Sequence, residues 1–412
     1  MNYLIIGNSS AAIGCVEGIR KIDTAGTITI ISDESYHTYS RPLISYWLEG
    51  KVSDDKIFYR PEDFYKKHNC NVILSKKVIK IDKTAKEVTL EDDSILNYDK
   101  LLIATGSRAF VPPMGGLDTV KNKFTFMKYD DARAVKEVLS LDSKVLIIGA
   151  GLIGLKAAEG VYKMTKNITV VDLADRILPS ILDHEGSNIV QKHLESKGVH
   201  FILNDKVSKF TSNTALLDGG TTLTFDILVV AVGVRPNTEL ASECGLEVNR
   251  GIIVDDTCMT SDEAVYAAGD CCESFDVSTG TRKILALLPN AYMQGEAAGI
   301  NMAGGQKNYE NAIPMNAIGF FGLHMITAGN YEGEAYTLET ESDYKKLVYK
   351  DGLLKGYIMI GDVARAGIYT SIIKEQIPLS AVDSNLLFTK PQMMLFGKTR
   401  RLEKLGGVKV GN

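Results

Sequence analysis

Three glycines in the middle of the chain, Gly149, Gly151 and Gly154, stand at the G-x-G-x-x-G spacing that binds the pyrophosphate of a dinucleotide. Glycine suits these positions because the backbone can approach the phosphates closely, while the following helix turns its first amides toward the negative charge. Leu152 and Ile153 stand at the start of that helix. We therefore predict a dinucleotide site here, with these five residues as its phosphate-binding loop.

The segments on both sides of this loop have the pattern of a β-α-β unit. An apolar run, residues 144–148, leads into the loop, and after a helical stretch the β-branched run 168–171 ends at Asp172. An acidic residue in that position hydrogen-bonds the ribose 2′-hydroxyl of NAD and repels a 2′-phosphate, and Leu173 beside it offers no cation to hold one. The sequence therefore favours NADH over NADPH.

A degenerate copy of the same pattern opens the chain. An apolar run ends at Gly7, and a helical stretch and the β-branched run 27–31 follow. Serine and alanine replace the other two glycines, but small residues still allow close approach, and the hydroxyl of Ser9 or Ser10 can donate to phosphates. A tight strand-helix turn without a ligand is the alternative at this stage. The candidate residues are Gly7, Ser9, Ser10, Ala11 and Ala12.

Composition excludes several classes of function. Of the 412 residues, 45% are apolar and 24% are charged, which is typical of globular proteins, and the length suggests roughly two to four domains. The apolar runs are only as long as strands, so none is expected to span a membrane. The net charge of -5 provides no positive field for nucleic acid. Because no export signal precedes the first strand, we expect a cytoplasmic protein.

The cysteines and histidines show no ligand spacing. None of the six cysteines forms a C-x-x-C pair, which argues against a dithiol centre or a metal knuckle. We interpret the adjacent Cys271 and Cys272 as small buried thiols rather than a strained bridge. The six histidines are isolated along the chain, and we expect no metal site.

Further apolar runs end at small or polar residues. These runs are residues 100–104 before Thr105 and Gly106, 227–231 before Gly233, 251–254, and 264–267 before Gly269 and Asp270. A helix rich in glycine and alanine is predicted over 290–302, and another helical segment over 366–374. The last hundred residues mix strand-like and helical segments and indicate a separate α+β unit.

Residues 257–270 resemble the second FAD fingerprint of flavoproteins that contain two dinucleotide-binding domains. In that family the final aspartate, here Asp270, binds the ribityl chain of FAD. Residues 104–106 and 231–233 are similar to its two crossover strands, and 288–302 resembles the helix under the flavin pyrimidine. The family is the pyridine nucleotide-disulfide oxidoreductase superfamily.

Two further segments, 39–42 and 57–60, are similar to one branch of this superfamily. The branch holds NADH:rubredoxin oxidoreductases, ferredoxin reductases of oxygenase systems, nitrite-reductase flavin modules and NADH oxidases. The resemblance implies an α/β fold with two Rossmann-like dinucleotide-binding domains, for FAD and NAD, and a C-terminal α+β domain. The expected boundaries are 1–110 and 236–310 for the FAD domain, 111–235 for the NAD domain and 311–412 for the C-terminal domain.

The resemblance also assigns roles to matching residues. Asp33 and Glu34 would bind the adenosine ribose of FAD, Arg41 its phosphates, and Val78 the adenine side, while Arg176 would lie near NAD. Several motif residues join the same sites by position: for FAD these are Thr105, Gly106, Gly269 and Asp270, and for NAD they include Gly233.

Two residues depart from the branch, and one expected residue is absent. Many relatives have a lysine near flavin N5 where this chain has Tyr46, and a glutamate facing the nicotinamide where it has Lys156. We expect both side chains near the reacting rings. Lys156 would either stabilise an anionic reduced flavin or pair with an acid such as Glu159 and keep the site neutral. Some relatives have a redox cysteine in this segment, and its position corresponds to about Pro42 in this chain. Because the thiol is absent there, the flavin itself must be the chemical centre.

These features predict an FAD-dependent NADH oxidoreductase that passes electrons to a ferredoxin- or rubredoxin-type iron-sulfur carrier, in either direction. An oxidase that uses oxygen and a redox-sensing flavoprotein with little turnover are the alternatives. The basic C-terminal segment, Lys398 to Arg401 with Lys404 and Lys409, could dock an acidic carrier, although a solvated tail is the simpler interpretation. The C-terminal domain could also form a homodimer contact. Its segment 319–322 fits buried core better than a flavin contact.

Overall fold

The apolar runs that precede the glycine loops fold into two parallel sheets in the computed structural model, which describes residues 1–340, 343–404 and 406. The first sheet contains, in spatial order, β18 (Val265–Ala267), β7 (Lys100–Ile103), β1 (Asn2–Ile6), β2 (Thr27–Ile31) and β3 (Cys70–Ile73). The second contains β12 (Val199–Ile202), β11 (Ile168–Val171), β10 (Val145–Ile148), β16 (Ile227–Val230) and β9 (Lys123–Phe124). The central strands β1 and β10 are almost entirely buried, as expected for parallel sheets.

Each parallel sheet is accompanied by an antiparallel sheet of three strands. These are β4 (Val78–Asp82), β5 (Glu87–Leu90) and β6 (Ile95–Asn97), and then β13 (Val207–Thr211), β14 (Thr214–Leu217) and β15 (Thr222–Thr224). Two short strands, β8 (Ser107–Ala109) and β17 (Val234–Pro236), pair antiparallel directly after the ends of β7 and β16. The two chain segments that leave the sheets therefore form one ribbon.

Helices alternate with the strands along the chain. In chain order they are α1 (Ser10–Ile22), α2 (Ile44–Glu49), α3 (Phe64–Lys67), α4 (Tyr129–Val138), α5 (Leu152–Val161), α6 (His184–Ser196), α7 (Glu239–Glu243), α8 (Leu288–Met302), α9 (Ala366–Lys374), α10 (Ser384–Phe388) and α11 (Lys398–Lys404). Helices α1 and α5 begin within four residues of Gly7 and Gly149, at the carboxyl ends of β1 and β10. This is the edge at which parallel α/β sheets bind ligands.

Helices α1 and α8 pack with their backbones in contact. A Cβ on Gly14 would overlap the carbonyl oxygen of Tyr292, and one on Gly18 that of Glu296. On α8, Gly295 approaches α1 in the same way, and so does Gly299. The small residues of 290–302 thus serve helix-helix packing, which fixes the start of α8 next to the start of α1.

The chain divides into two compact units, residues 1–274 with 286–309, and residues 275–285 with 310–412. The second unit contains an antiparallel sheet with the order β21 (Met315–Phe320), β22 (Leu323–Gly329), β25 (Leu353–Ile360), β24 (Tyr344–Lys350) and β23 (Glu334–Glu339). The short pair β19 (Ser274–Asp276) and β20 (Thr281–Lys283) lies at the boundary. Tyr357, Tyr369 and Ile373 belong to the core between this sheet and α9.

The predicted fold class is confirmed: two Rossmann-like parallel sheets and a C-terminal α+β unit. The division of the first unit into an FAD domain and an NAD domain stays a prediction. The apolar run 251–254 does not form a strand: Ile252 makes isolated bridges, to Val248 and Cys272. No helix in the described part of the chain combines the length and apolar character needed to cross a bilayer. Lys409 lies outside the described residues.

Candidate functional site

The loop of Gly149 fits a pyrophosphate. Gly149 has a φ of +111°, and a Cβ there would overlap the carbonyl oxygen of Ala231. Gly154 lies against the carbonyl oxygen of Gly149, which brings α5 close to β10. By contrast, no atom lies within 4 Å of a Cβ built on Gly151, so the backbone is open where a phosphate would approach. Leu152 begins α5, and the first amides of a helix have no partner within it.

Asp172 lies beside this loop, and both of its carboxylate oxygens accept backbone hydrogen bonds. Oδ2 accepts from the amide of Ala150 at 2.5 Å, and Oδ1 accepts from that of Ala174 at 2.8 Å. Each oxygen keeps a second lone pair that a ribose hydroxyl could use. Leu173 is 68% exposed beside the carboxylate. Arg176 pairs with Asp175 at 2.8 Å, and its Nε is buried without a hydrogen-bond partner among the described residues.

The degenerate first loop has the same backbone constraint at its first glycine. Gly7 has a φ of +115°, and a Cβ there would overlap the carbonyl oxygen of Ala104. Ser9 precedes α1, and its side chain makes no capping bond to the helix. The Ser10 hydroxyl donates to the carbonyl of Leu288 at 2.9 Å, so it fixes α8. Ser9 therefore remains the more suitable phosphate donor of the two.

Ala11 and Ala12 are buried where the loop meets α8. A Cβ on Gly295 would overlap the carbonyl oxygen of Ala11, and one on Gly269 would stand 3.3 Å from the Cβ of Ala11. Their small size is thus required by packing as well as by any ligand.

Glu34 and Arg41, which were assigned to different parts of FAD, pair with each other. Arg41 Nη2 lies 2.5 Å from Glu34 Oε1, and the Tyr39 hydroxyl donates to Glu34 Oε2 at 2.6 Å. Asp33 is exposed and pairs with Lys128 at 3.0 Å. Val78 is 5% exposed and belongs to the apolar core on one side of the first sheet. The structure therefore brings Glu34 and Arg41 together, pairs Asp33 with Lys128 instead, and places the Val78 side chain in packing.

Asp270 lies near the two crossover segments. Its Oδ2 accepts a hydrogen bond from the Ser107 hydroxyl at 3.1 Å, and burial raises the pKa of its carboxyl above the usual range. Asn237 ties the segments together: its side chain donates to the Thr105 carbonyl at 2.8 Å, and its amide donates to the Gly106 carbonyl at 2.9 Å. Sequence reasoning missed Ser107, which directly follows Gly106, and Asn237, which lies four residues after Gly233.

Three glycines in this region have a left-handed backbone. Gly106, Gly233 and Gly269 have φ values of +63°, +126° and +88°, which side chains other than glycine adopt with strain. Gly106 and Gly233 are open, with no atom within 4 Å of an added Cβ, whereas Gly269 is buried and donates its amide to Gln294 Oε1 at 2.8 Å. The two open glycines stand at the starts of the ribbon strands β8 and β17. They leave the backbone accessible at both crossovers.

Tyr46, Lys156 and Glu159 meet where α2 packs against α5, and we call them the junction cluster. Lys156 Nζ lies 2.6 Å from Glu159 Oε2, 3.0 Å from the Tyr46 hydroxyl oxygen and 4.5 Å from the centre of the Tyr46 ring. Glu159 is only 3% exposed. Two roles were expected for Lys156, and the structure shows one of them, the pairing with Glu159.

The six cysteines are free thiols, and each of them is buried or half-buried. Cys15, Cys258, Cys271 and Cys272 are buried, and burial raises the pKa of the half-buried Cys70 to about 11. The Cys70 thiol therefore stays protonated at neutral pH and is a poor nucleophile, whereas the hydrogen bond with Cys272 lowers the pKa of the fully buried Cys271. The first residues after Ser40 form a short 3-10 turn that contains Pro42 and no thiol. Within residues 1–340, 343–404 and 406, no three His, Cys, Asp or Glu side chains group as metal ligands.

Comparison with known families agrees with this geometry. Residues 1–295 match the family model "Pyridine nucleotide-disulphide oxidoreductase", and residues 314–377 match the model "Rubredoxin NAD+ reductase C-terminal domain". The first match covers more than half of the chain. The second lies within the C-terminal unit described above.

Curated relatives cover the chain broadly. The NADH-dependent phenylglyoxylate dehydrogenase subunit epsilon of Aromatoleum evansii is 31% identical over 93% of this chain and 94% of its own length. An NADH oxidase of Methanocaldococcus jannaschii is 33% identical over 74% of this chain and 70% of its own length. A rubredoxin-NAD(+) reductase of Pseudomonas putida is 30% identical over 74% of this chain and 80% of its own length. The chain spans only about half the length of two other curated relatives that it matches.

Among solved structures, the covalent putidaredoxin reductase-putidaredoxin complex contains a chain with the same fold. The TM-score is 0.87 at 24% identity, over 94% of this chain and 96% of the other. The family match, the broad coverage and the two glycine loops agree. The chain belongs to the pyridine nucleotide-disulphide oxidoreductase family and is an FAD-binding, NADH-dependent oxidoreductase of the type that includes rubredoxin reductases and NADH oxidases.

Proposed function

We propose that this enzyme carries electrons between NADH and a small iron-sulfur protein of the ferredoxin or rubredoxin type, by way of FAD and in either direction. The observation that carries the proposal is the absence of a thiol from the turn at Pro42, together with the burial of Cys271 and Cys272. Without an accessible thiol between them, flavin and acceptor have to exchange electrons directly. The match of residues 314–377 to a rubredoxin reductase domain supports a protein acceptor.

In this proposal the residues of the first loop and its surroundings hold FAD. Gly7 and Ser9 admit the pyrophosphate at the start of α1, Arg41 offsets its charge, and Asp270 accepts from the ribityl hydroxyls. When bound, FAD accepts a hydride as a two-electron unit and releases electrons singly. No side chain has to act as a nucleophile.

The second loop would hold NADH. Gly151 leaves room for the pyrophosphate, and the first amides of α5 are directed at its charge. Asp172 would bind the ribose 2′-hydroxyl, and the exposed Leu173 would leave a 2′-phosphate without a cation. We infer a preference for NADH from this pair. Lys156 and Tyr46 would lie near the reacting rings.

The acceptor docks, in this proposal, by complementary charge. The basic tail contributes less than its sequence suggests, because Arg400 and Lys404 both pair with Glu375, at 3.0 and 2.5 Å. Lys398 is exposed. The name of the Aromatoleum relative, a subunit, supports a variant in which the acceptor is a partner subunit of a larger enzyme. Homodimer formation stays a prediction that sedimentation velocity would test.

The second candidate is transfer to oxygen, which the 33% identity to an NADH oxidase supports. Anaerobic stopped-flow reduction of the yellow protein by NADH and by NADPH, followed by mixing with oxidised ferredoxin or rubredoxin, tests the first proposal. We expect fast reduction by NADH and fast reoxidation by a carrier. Rapid NADH consumption in aerated buffer without a carrier would favour the oxidase. Negligible turnover with every acceptor would contradict both and indicate a sensor.

A further inference from the structure

The direction of the hydrogen bonds in the junction cluster follows from its donors and acceptors. A protonated lysine has three N-H donors and no acceptor, so Lys156 donates both to Glu159 and to the Tyr46 oxygen. The hydrogen of the Tyr46 hydroxyl therefore takes no part in this contact. In the part of the chain that the structure describes, no group accepts it, and the half-buried Tyr46 can offer it to a ligand.

The surroundings of Tyr46 make that hydrogen a strong donor. A positive charge 3.0 Å from the phenol oxygen polarises its O-H bond, because successive hydrogen bonds in a chain strengthen one another. Lys51 lies 5.8 Å from the centre of the ring, but its charge is offset by an ion pair with Glu49 at 2.7 Å, so Lys156 is the cation that matters here. The buried Glu159 balances Lys156, because a buried ammonium without a partner is costly. The cluster thus presents a neutral donor with a cation held behind it.

The junction cluster lies near both phosphate-binding segments. Lys156 comes four residues after Leu152, the first residue of α5, which corresponds to a rise of about 6 Å along the helix. Tyr46 comes five residues after Arg41, and a short 3-10 turn leads from Arg41 into α2. Two rings that exchange a hydride have to be in contact. Helix α2 follows Arg41, helix α5 follows the loop of Gly149, and these two helices are in contact.

We propose that the Tyr46 hydroxyl, polarised by Lys156, donates a hydrogen bond to a carbonyl oxygen of the reacting rings, with the nicotinamide carboxamide as the expected acceptor. Tyr46 is then a binding residue, and Glu159 is a positioning residue that acts through Lys156. The inference rests on the proposed function, because a nicotinamide dinucleotide has to reach the flavin at this junction. Compared with relatives that carry a lysine at position 46, this chain keeps the donor and moves the charge behind it.

Equilibrium binding to the FAD-loaded protein tests this role without turnover. The two ligands are NAD+ and its thionicotinamide analogue, in which a weakly accepting sulfur replaces the carboxamide oxygen. We expect the wild type to bind NAD+ about tenfold more tightly than the analogue, and Tyr46→Phe to bind the two nearly alike. Lys156→Met should lose most of the discrimination. Glu159→Gln should lose part of it, and Glu159→Asp should restore it.

The matched control is Tyr336→Phe, which removes a phenol from the C-terminal unit and should keep the wild-type ratio. The reduction potential of the bound FAD, measured on the same variants, separates the two possible acceptors. A shifted potential with an unchanged binding ratio would support the donor but assign it to a flavin carbonyl. An unchanged ratio and potential in Tyr46→Phe would overturn the inference. If NADH does not reduce the wild type, the proposed function fails, and the inference with it.

Discussion

Gly7 and Gly149 are structural equivalents in two copies of one β-α-β unit. Each has a φ above +110°, and each donates its amide to the last residue of the neighbouring strand at 2.8 Å. Each also lies against a carbonyl oxygen, that of Ala104 or Ala231, which leaves no room for a Cβ. The loop with one glycine thus shares the backbone geometry of the loop with three at this position.

Gly149→Ala should separate the two cofactors. The added methyl group has to displace the backbone at Ala231, and displacements of about 1 Å can slow a positioned reaction by about a hundredfold. We expect reduction by NADH to slow by that order while the FAD content stays at the wild-type level. Gly220→Ala is the control, because Gly220 also has a positive φ but open space around it. Equal loss of FAD and NADH binding would contradict the assignment of this loop to NAD.

Gly295→Ala should destabilise the first unit through the contact of α1 with α8. The new Cβ would overlap the carbonyl oxygen of Ala11, and overpacking of this kind costs about 1 to 3 kcal/mol. Differential scanning calorimetry should show a lower unfolding temperature. The control is Gly367→Ala, at a helical position in α9 with open space, which should be neutral or stabilising by about 0.5 to 1 kcal/mol. A wild-type unfolding temperature for Gly295→Ala would show that the helices can separate without cost.

The double variant Asp172→Asn and Leu173→Arg should accept NADPH. Asparagine removes the repulsive charge and keeps one acceptor oxygen, which can serve the amide of either Ala150 or Ala174, while arginine supplies a cation for the 2′-phosphate. We expect the ratio of kcat/KM for NADPH over NADH to rise by about a hundredfold. Leu173→Ala alone should leave the ratio near the wild-type value, since this side chain is exposed. A wild-type enzyme that already prefers NADPH would refute the role of Asp172.

The ion pair between Arg60 and Glu17 should make stability depend on pH. Burial opposes ionisation of Glu17, but hydrogen bonds from Arg60 and Tyr292 outweigh it and hold the pKa of Glu17 below its usual range. A carboxylate with a lowered folded pKa stabilises the fold above its unfolded pKa, and this contribution is lost as the pH falls through the folded value. Arg60→Gln should therefore lower stability at pH 7 by about 1 to 3 kcal/mol, and less below a pH of about 4.

Thermal unfolding of the wild type and Arg60→Gln across this range measures the difference. Lys67→Gln breaks an exposed pair with Asp63 and should cost at most about 1 kcal/mol at any pH. A penalty for Arg60→Gln that stays constant down to pH 3 would assign the effect to the contact of Arg60 with the Tyr59 ring, at 4.5 Å, instead of the ion pair.

Local sequence patterns predicted some elements with the bounds that the structure shows. The β-branched run 168–171 forms β11 over the same residues, and the segment 366–374 forms α9. The run 251–254 failed because its strand-like residues find no neighbouring strand to pair with along their length. Composition indicates that a segment can form a strand, but pairing depends on partners that are distant in the sequence.

Contacts between distant residues lay beyond local patterns for the same reason. The contact between Lys156 and Tyr46 joins residues 110 positions apart. The glycines of α1 and α8 are also in contact, although most of the sequence of the first unit separates these two helices. The glycine loops were visible because their chemistry is local to one turn. The pairing of Glu34 with Arg41 was not predicted, although the two lie seven residues apart, because a turn rather than a helix or strand connects them.

Because α1 and α8 run parallel with their backbones in contact, we expect the two helices to move as one rigid unit. Whatever immobilises the start of α1 also immobilises α8 as far as Met302, at a distance from the phosphates themselves. Hydrogen exchange should then report cofactor loading along the whole of α8, with both helices gaining protection together when FAD is added to the apoprotein.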